Sequence, residues 1–323
     1  MIDISSVGGF QIVQKLGSGG YGEIFSVEAP HNHQLLALKT ENLETKNRAM
    51  SNEIEILKYL PEKPFFPRVI SSGTTSAVSY FVMPLYGPSL SSIRHNIDYD
   101  HFSLPTVFRI AAETIRIIET LHKCGVVHCD IKPSNFLLNQ AEFGGFVLID
   151  FGLSAIYRNE NGQHISFQNS EGFRGTLKYA SVNVHKMVEI TRRDDIISWF
   201  YTLIELAKGK LPWKDVQDHN LSMSCKQSIS PDKLCSGLPR QMKTIWNSIK
   251  DLKFNEDPNY DLIKLEIQRV FVENEWDEFT PYDWEVQPEI ILKLTPHPEL
   301  FDKNLMRQRQ LPQKKTKKKC LIM

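Results

Sequence analysis

Between residues 128 and 152 two acid-bearing segments follow one another in a set order, and they constrain this chain more than anything else in it. His128-Cys129-Asp130-Ile131-Lys132-Pro133-Ser134-Asn135 puts a carboxylate and a carboxamide five residues apart on a proline-broken, polar loop. Phe146-Val147-Leu148-Ile149 then reads as a short buried strand delivering Asp150-Phe151-Gly152. On such a loop Asp130 can orient an incoming hydroxyl and accept its proton. Asn135 and Asp150 supply oxygen ligands of the kind a hard divalent cation takes. Lys132, between them, is placed to neutralise negative charge that develops on a transferred group. Two loops that merely contain aspartate would have no reason to keep this order and separation.

Upstream, Gly17-Ser18-Gly19-Gly20-Tyr21-Gly22 fits G-x-G-x-x-G, a weak signal by itself. Its context is more informative, because the glycines lie between two strand-like runs (10–16 and 24–27). A dinucleotide fingerprint would open a helix, whereas this arrangement suits a β-hairpin whose backbone amides approach phosphate oxygens. Lys39 ends the apolar strand Leu36-Ala37-Leu38-Lys39 and can aim its ammonium at the same phosphates. Residues 49–60 carry Met50, Ile54, Leu57 and Leu60 at helical spacing. Glu53 lies near the packed edge of that helix and can bridge to Lys39. Glu55, about 100° per residue further round, is the competing candidate.

The strand-rich texture resumes at 79–83 and gives way beyond Gly87-Pro88 to helix. Val107, Ile110, Ala111, Ile115 and Ile118 share one face, and 196–206 is apolar almost throughout. The expected fold class is α+β, with a small β-rich lobe (8–86) carrying a helix and a larger helical lobe (87–285). Residues 286–313, with Pro288, Pro296, Pro298 and Pro312, read as an extended connector leading into a lysine-rich tail. A composition of 41% hydrophobic and 24% charged residues excludes a disordered or fibrous chain. Cys124, Cys129, Cys225, Cys235 and Cys320 show no metal or disulfide spacing and suit a reducing compartment. No apolar run approaches the length of a membrane span, so the expectation is a soluble, intracellular and monomeric protein without a nucleic-acid partner.

Taken in order, these residues resemble the eukaryotic protein kinase set. Lys132 after Asp130, with Gly175-Thr176 downstream, resembles the serine/threonine branch. Tyr179-Ala180-Ser181-Val182-Asn183, Arg192-Arg193-Asp194-Asp195 and Leu211-Pro212-Trp213 resemble the casein kinase one group. Within it, the Tyr179–His185 stretch and Pro281-Tyr282-Asp283-Trp284-Glu285 are similar to tau-tubulin kinases. The resemblance implies a bilobal kinase fold over residues 8–285 and transfer of the γ-phosphate of ATP, with Mg2+, to protein hydroxyls. It implies Asp130, Lys132, Lys39 and Glu53 as catalytic residues, and Asn135 and Asp150 as metal ligands. Nucleotide contacts are implied at Gly17, Gly19, Gly22, Ile24, Ala37, Lys39, Met83 (the gatekeeper), Pro84 C=O and Tyr86 N–H. Asp195 is implied as a brace behind the catalytic loop. Lys178 and Lys226 are implied as cations for acidic or pre-phosphorylated protein substrates. Cys129 departs from the pattern: it stands where an arginine usually pairs with a phosphorylated activation segment, so activity independent of that phosphorylation is expected. A catalytically weak kinase-like scaffold and a small-molecule kinase are the rival readings.

Residues 303–323 hold eight basic residues and no acid, which leaves the rest of the chain acidic by eight. Lys314-Lys315-Thr316-Lys317-Lys318-Lys319 runs into Cys320-Leu321-Ile322-Met323, a C-a-a-X pattern whose Met favours farnesylation of Cys320. One lipid chain anchors weakly, and basic residues near an anionic leaflet add to it. The expectation is a cytoplasmic protein held peripherally on a membrane, with the nucleus as runner-up.

Overall fold

The computed structural model describes residues 5–19, 22–44, 49–139, 145–167, 172–277, 279–295 and 297–298. The lysine-rich tail and Cys320 lie outside these residues, as do Gly20 and Tyr21. Six strands, β1 (Ser6–Val7), β2 (Phe10–Gly19), β3 (Gly22–Glu28), β4 (Leu35–Asn42), β5 (Ser71–Thr74) and β6 (Val78–Pro84), form one antiparallel sheet in the order β1-β2-β3-β4-β6-β5. Helix α1 (Ala49–Tyr59) lies between β4 and β5 in the chain.

Alternation along β4 sorts its side chains between two environments. Leu36 and Leu38 join Val7, Phe10, Val27, Tyr80 and Val82 on the outer face of the sheet. Ala37, with Phe81 and Met83 of β6, faces inward and is continuous with the core under α1. Lys39 follows Ala37 by two residues and therefore points inward as well, which is how an apolar strand presents one ammonium to a cleft. β5 has no apolar alternation in Ser71-Ser72-Gly73-Thr74 and is recognisable only from its pairing with β6 at the sheet edge.

The second lobe contains α2 (Leu90–Arg94), α3 (Leu104–Lys123), β7 (Val126–Val127), β8 (Phe136–Leu138), β9 (Phe146–Leu148), β10 (Ala155–Ile156) and α4 (Val182–His185). It continues with α5 (Arg192–Lys208), α6 (His219–Ser228), α7 (Pro231–Leu234), α8 (Arg240–Ile249), α9 (Tyr260–Glu273), α10 (Asp283–Val286) and α11 (Pro288–Leu294). α5 is buried from Arg192 to Leu206 and is the helix around which the lobe is built. α3 begins at Ser103, whose hydroxyl caps the Thr106 amide, and its apolar face meets α5. There the buried indole of Trp199 donates to Thr114 Oγ1 at 2.9 Å, so its N–H is satisfied.

The stretch expected to be extended from residue 286 holds α11 instead. Pro288 sits in its first turn, where a missing N–H is harmless, and Ile290 and Ile291 are buried in the core, as helical spacing would have allowed. Past α11 the chain returns to the sheet, where His297 Nε2 lies 3.1 Å from Ser26 Oγ on β3. No helix among the described residues is long and apolar enough to cross a membrane.

Candidate active site

Cross-strand register assembles one wall of the cleft. Ile24, Lys39 and Phe81 stand opposite one another on β3, β4 and β6, and Ser26, Ala37 and Met83 form the next row. Gly17 pairs with Ile24 and so shares that face, with Gly19 two residues along. A Cβ at either glycine would meet nothing within 4 Å, so both leave open the space that a side chain would take. Gly22 is glycine for a different reason: its φ is +136°, and a Cβ would lie 1.7 Å from the Thr40 carbonyl. Pro84 closes β6, and Tyr86 beyond it is half-buried, with burial pushing its phenol up to about 12.

Lys39 Nζ donates to Glu53 Oε2 at 2.6 Å and to Asp150 Oδ1 at 2.9 Å. Burial alone would lower the lysine pKa, but first Glu53 and then Asp150 outweigh it and hold the ammonium above its ordinary value. Asp150 is likewise pulled below the usual aspartate range by Lys39 against the effect of its burial. For Glu53 burial prevails and lifts the carboxyl, with Lys39 opposing it. Glu53 is 2% exposed, and its second oxygen accepts the Phe151 amide at 3.2 Å, whereas Glu55 is exposed. Helix phase thus decides between the two glutamates.

Asp150 has φ 69° and ψ 64°, a left-handed conformation that costs a residue with a side chain about 1–2 kcal/mol. Its surroundings hold it there. The Phe151 ring is fully buried, edge-on to His128 at 5.0 Å and to Phe66 at 6.0 Å. His128 Nε2 lies 3.0 Å from the Ile149 carbonyl, and a Cβ at Gly152 would come within 3.2 Å of Ala49 Cβ on α1.

Across the cleft Asp130 is 6% exposed. Lys132 Nζ donates to Asp130 Oδ2 at 2.6 Å, and Thr176 Oγ1 donates to Oδ1 at 2.7 Å. Lys132 Nζ also reaches Thr176 Oγ1 at 3.0 Å, closing a three-membered ring of contacts. Asn135 Nδ2 donates to the Asp130 carbonyl at 2.9 Å, which leaves the amide oxygen facing away from that bond. Neither Asn135 Oδ1 nor Asp150 Oδ2 has a hydrogen bond among the described residues, and oxygens of this type suit a hard divalent cation. Behind the loop Asp195 accepts the His128 amide at 2.6 Å and the Cys129 amide at 2.9 Å, with His122 Nε2 at 3.0 Å. This buried carboxylate fixes the loop backbone without reaching the cleft. Cys129 is buried, and burial followed by the nearby Asp195 raises its thiol well above the usual value, so it carries no charge at neutral pH.

Lys178 and Lys226 are turned inward, unlike solvent-facing anion binders. Lys178 Nζ is ion-paired with Glu205, whose other oxygen accepts from Tyr179 Oη. Lys226 is 4% exposed and donates to the carbonyls of Leu177 at 2.6 Å and Ala180 at 2.8 Å, with His185 Nε2 at 2.9 Å. Burial lowers Lys226 to about 7. Its amine thus cross-links the end of the activation segment to α6.

Thr176 and Asn52 also belong to the site, although in the sequence Thr176 marks only the branch resemblance and no motif marks Asn52. Asn52 Nδ2 donates to the carbonyls of Ser154 at 2.9 Å and Gly152 at 3.0 Å. Both partners are backbone carbonyls distant in sequence, so neither spacing nor periodicity could have found them.

A protein kinase domain model matches residues 10–269. The chain is also similar to a probable serine/threonine-protein kinase of Dictyostelium discoideum, 36% identical over 282 residues. That match covers 87% of this chain and 57% of the relative, so the chain spans little more than half the relative's length. With its sheet lobe, its helical lobe and the side chains gathered between them, this chain belongs to the protein kinase domain family.

Proposed function

We propose that this protein is an ATP- and magnesium-dependent serine/threonine protein kinase of the casein kinase one group, nearest in character to tau-tubulin kinases. The observation that carries the catalytic reading is the placement of one ammonium, Lys39, within 2.9 Å of both Glu53 and Asp150. In this reading the open backbone at Gly17 and Gly19 receives the nucleotide phosphates, and Lys39, kept charged by its two carboxylates, orients them. Ile24, Ala37 and Met83 enclose the base, and the backbone of Pro84 and Tyr86 meets its edge. Asn135 and Asp150 would hold a divalent ion, which would supply neutralisation of phosphate charge. Asp130 orients the acceptor hydroxyl and accepts its proton, while Lys132 balances charge on the moving phosphoryl group. The Thr176 hydroxyl keeps Asp130 and Lys132 in register.

Activity independent of activation-segment phosphorylation belongs to the same reading, because a buried neutral thiol at Cys129 cannot pair with a phosphate. With Lys226 enclosed and Lys178 paired to Glu205, a preference for acidic or pre-phosphorylated substrates rests on the family likeness alone. The tail reading rests on sequence: the lysines at 314–319 and Cys320 propose a lipidated, membrane-facing segment. Mass spectrometry of the mature C-terminus, with fractionation of Cys320→Ser, tests it. For the catalytic reading the test is transfer of radiolabel from ATP to casein and to serine peptides. Wild type should label them in a magnesium-dependent way and Asp150→Asn should not. Equal labelling by the two proteins would defeat the reading, and loss of wild-type activity on phosphatase treatment would defeat its phosphorylation-independent part.

A further inference from the structure

One side chain grips the 150–152 turn from α1 and takes no part in the chemistry described above. Asn52 points its amide at three carbonyls: Ser154 at 2.9 Å, Gly152 at 3.0 Å and Phe151 at 3.4 Å. A carboxamide has two N–H hydrogens, so the longest contact shares one of them. The neighbouring Glu53 accepts the Phe151 amide at 3.2 Å and Lys39 at 2.6 Å. Consecutive residues of one helix therefore hold the turn by both polarities, one donating to its carbonyls and the other accepting its N–H.

Apolar packing and polar contacts meet at this junction, with Met50, Ile56 and Phe151 in one core. Ala49 and Gly152 are in close contact on one side of Asn52. Beside it a cavity of about 480 Å³ opens, its lining including Asn52, Ile56, Gly152, Leu153, Ile156 and Arg174. The hydrogen bonds of Asn52 run along its wall to the Gly152 and Ser154 carbonyls. The charged alternative is absent. Cys129 is a buried neutral thiol, and Arg174, the nearest guanidinium on the activation segment, is paired with Glu189 at 3.1 Å.

We propose that Asn52 is a positioning residue that keeps α1, and with it Glu53, aligned with Asp150 without a phosphate on the activation segment. This rests on the kinase reading and supplies the physical basis for its phosphorylation-independent part. A neutral amide on backbone carbonyls does here what an arginine–phosphate pair does where the catalytic loop carries arginine. The tether is always present, so alignment does not wait on a modifying enzyme.

Asn52→Leu keeps the branching at Cγ and removes both donors; Asn52→Ser, smaller and with a single donor, serves if the first variant does not fold. We expect Asn52→Leu to lower kcat about tenfold, equivalent to about 1.4 kcal/mol on the barrier, while the peptide KM stays within about twofold. Hydrogen exchange of the Phe151 and Ser154 amides should rise about tenfold as the turn opens. A variant with kcat and exchange within about twofold of wild type would overturn the proposal. So would a fall in kcat with unchanged exchange at those amides, since the turn would then be held by something else. The exchange measurement needs no turnover. An inactive wild type would refute the kinase reading while leaving the tether still to be decided by exchange.

Discussion

Lys39 and Lys226 are both buried amines, 8% and 4% exposed, yet their surroundings send them in opposite directions. Lys39 sits between two carboxylates, which overcome the cost of burial and hold its ammonium above the ordinary lysine value. Lys226 has no carboxylate beside it. Its neighbours are two carbonyls and the imidazole of His185, itself lowered to about 4 by burial and then by Lys226. That shell suits a neutral amine, which can donate two hydrogens to the carbonyls and accept one from the ring. The contrast separates a lysine held charged between carboxylates, as the proposed phosphate contact requires, from a lysine that holds the backbone of a loop.

The largest effect is expected from removing the first. Lys39→Met leaves Glu53 and Asp150 facing one another without a cation and takes away the phosphate ligand. Phosphoryl transfer should fall at least about a hundredfold, and stability should drop by about 3 kcal/mol as buried charge is left unpaired. Transfer assays with urea unfolding measure both, and activity within about fivefold of wild type would break the contrast at its strong end.

Asp195→Asn should come next. The carboxylate accepts two loop amides and faces His122, and an amide in its place turns a donor toward donors. A loss of about 2 kcal/mol in stability is expected, with turnover slowed about tenfold by a loosened loop. A variant as stable and fast as wild type would show that the loop is held by packing.

Lys226→Met should have the smallest effect at neutral pH and the most informative one as pH changes. The folded pKa, about 7, lies below the ordinary value of 10.5, so between these limits the unfolded chain binds a proton that the folded chain has released. Stability contributed by this group therefore rises with pH across that window and is flat below it. Relative to Lys226→Met, wild type should gain up to about 1 kcal/mol per pH unit from pH 7 toward 9. Thermal melts that run parallel over this range would show that the amine keeps its proton.

How much of the site could be read from the chain follows from the same distinction. The segments carrying Asp130, Asn135 and Asp150 stand out because the proposed chemistry needs those residue types at that spacing, and Glu53 is separated from Glu55 by helix phase. Asn52 and Thr176 are not legible in the same way: their partners are backbone carbonyls or groups brought near only when the activation segment folds back. Lys226 misleads for a related reason. A lysine on a short polar helix reads as solvated, and only the packed loop above α6 shows where its amine goes. The prolines after residue 286 suggest an extended chain, yet Pro288 opens a helical turn that buries Ile290 and Ile291.

Convergence of separate side chains on one phosphoryl transfer is tested most directly by Asp130→Asn, which removes the carboxylate on the acceptor side and leaves Lys39, Glu53 and Asp150 intact. Transfer to a serine peptide should fall by about 10²–10⁴. Calorimetric affinity for ATP with magnesium should stay within about threefold, or about 0.7 kcal/mol. Transfer at close to the wild-type rate, or loss of nucleotide binding together with transfer, would contradict the assignment of Asp130 to the acceptor hydroxyl.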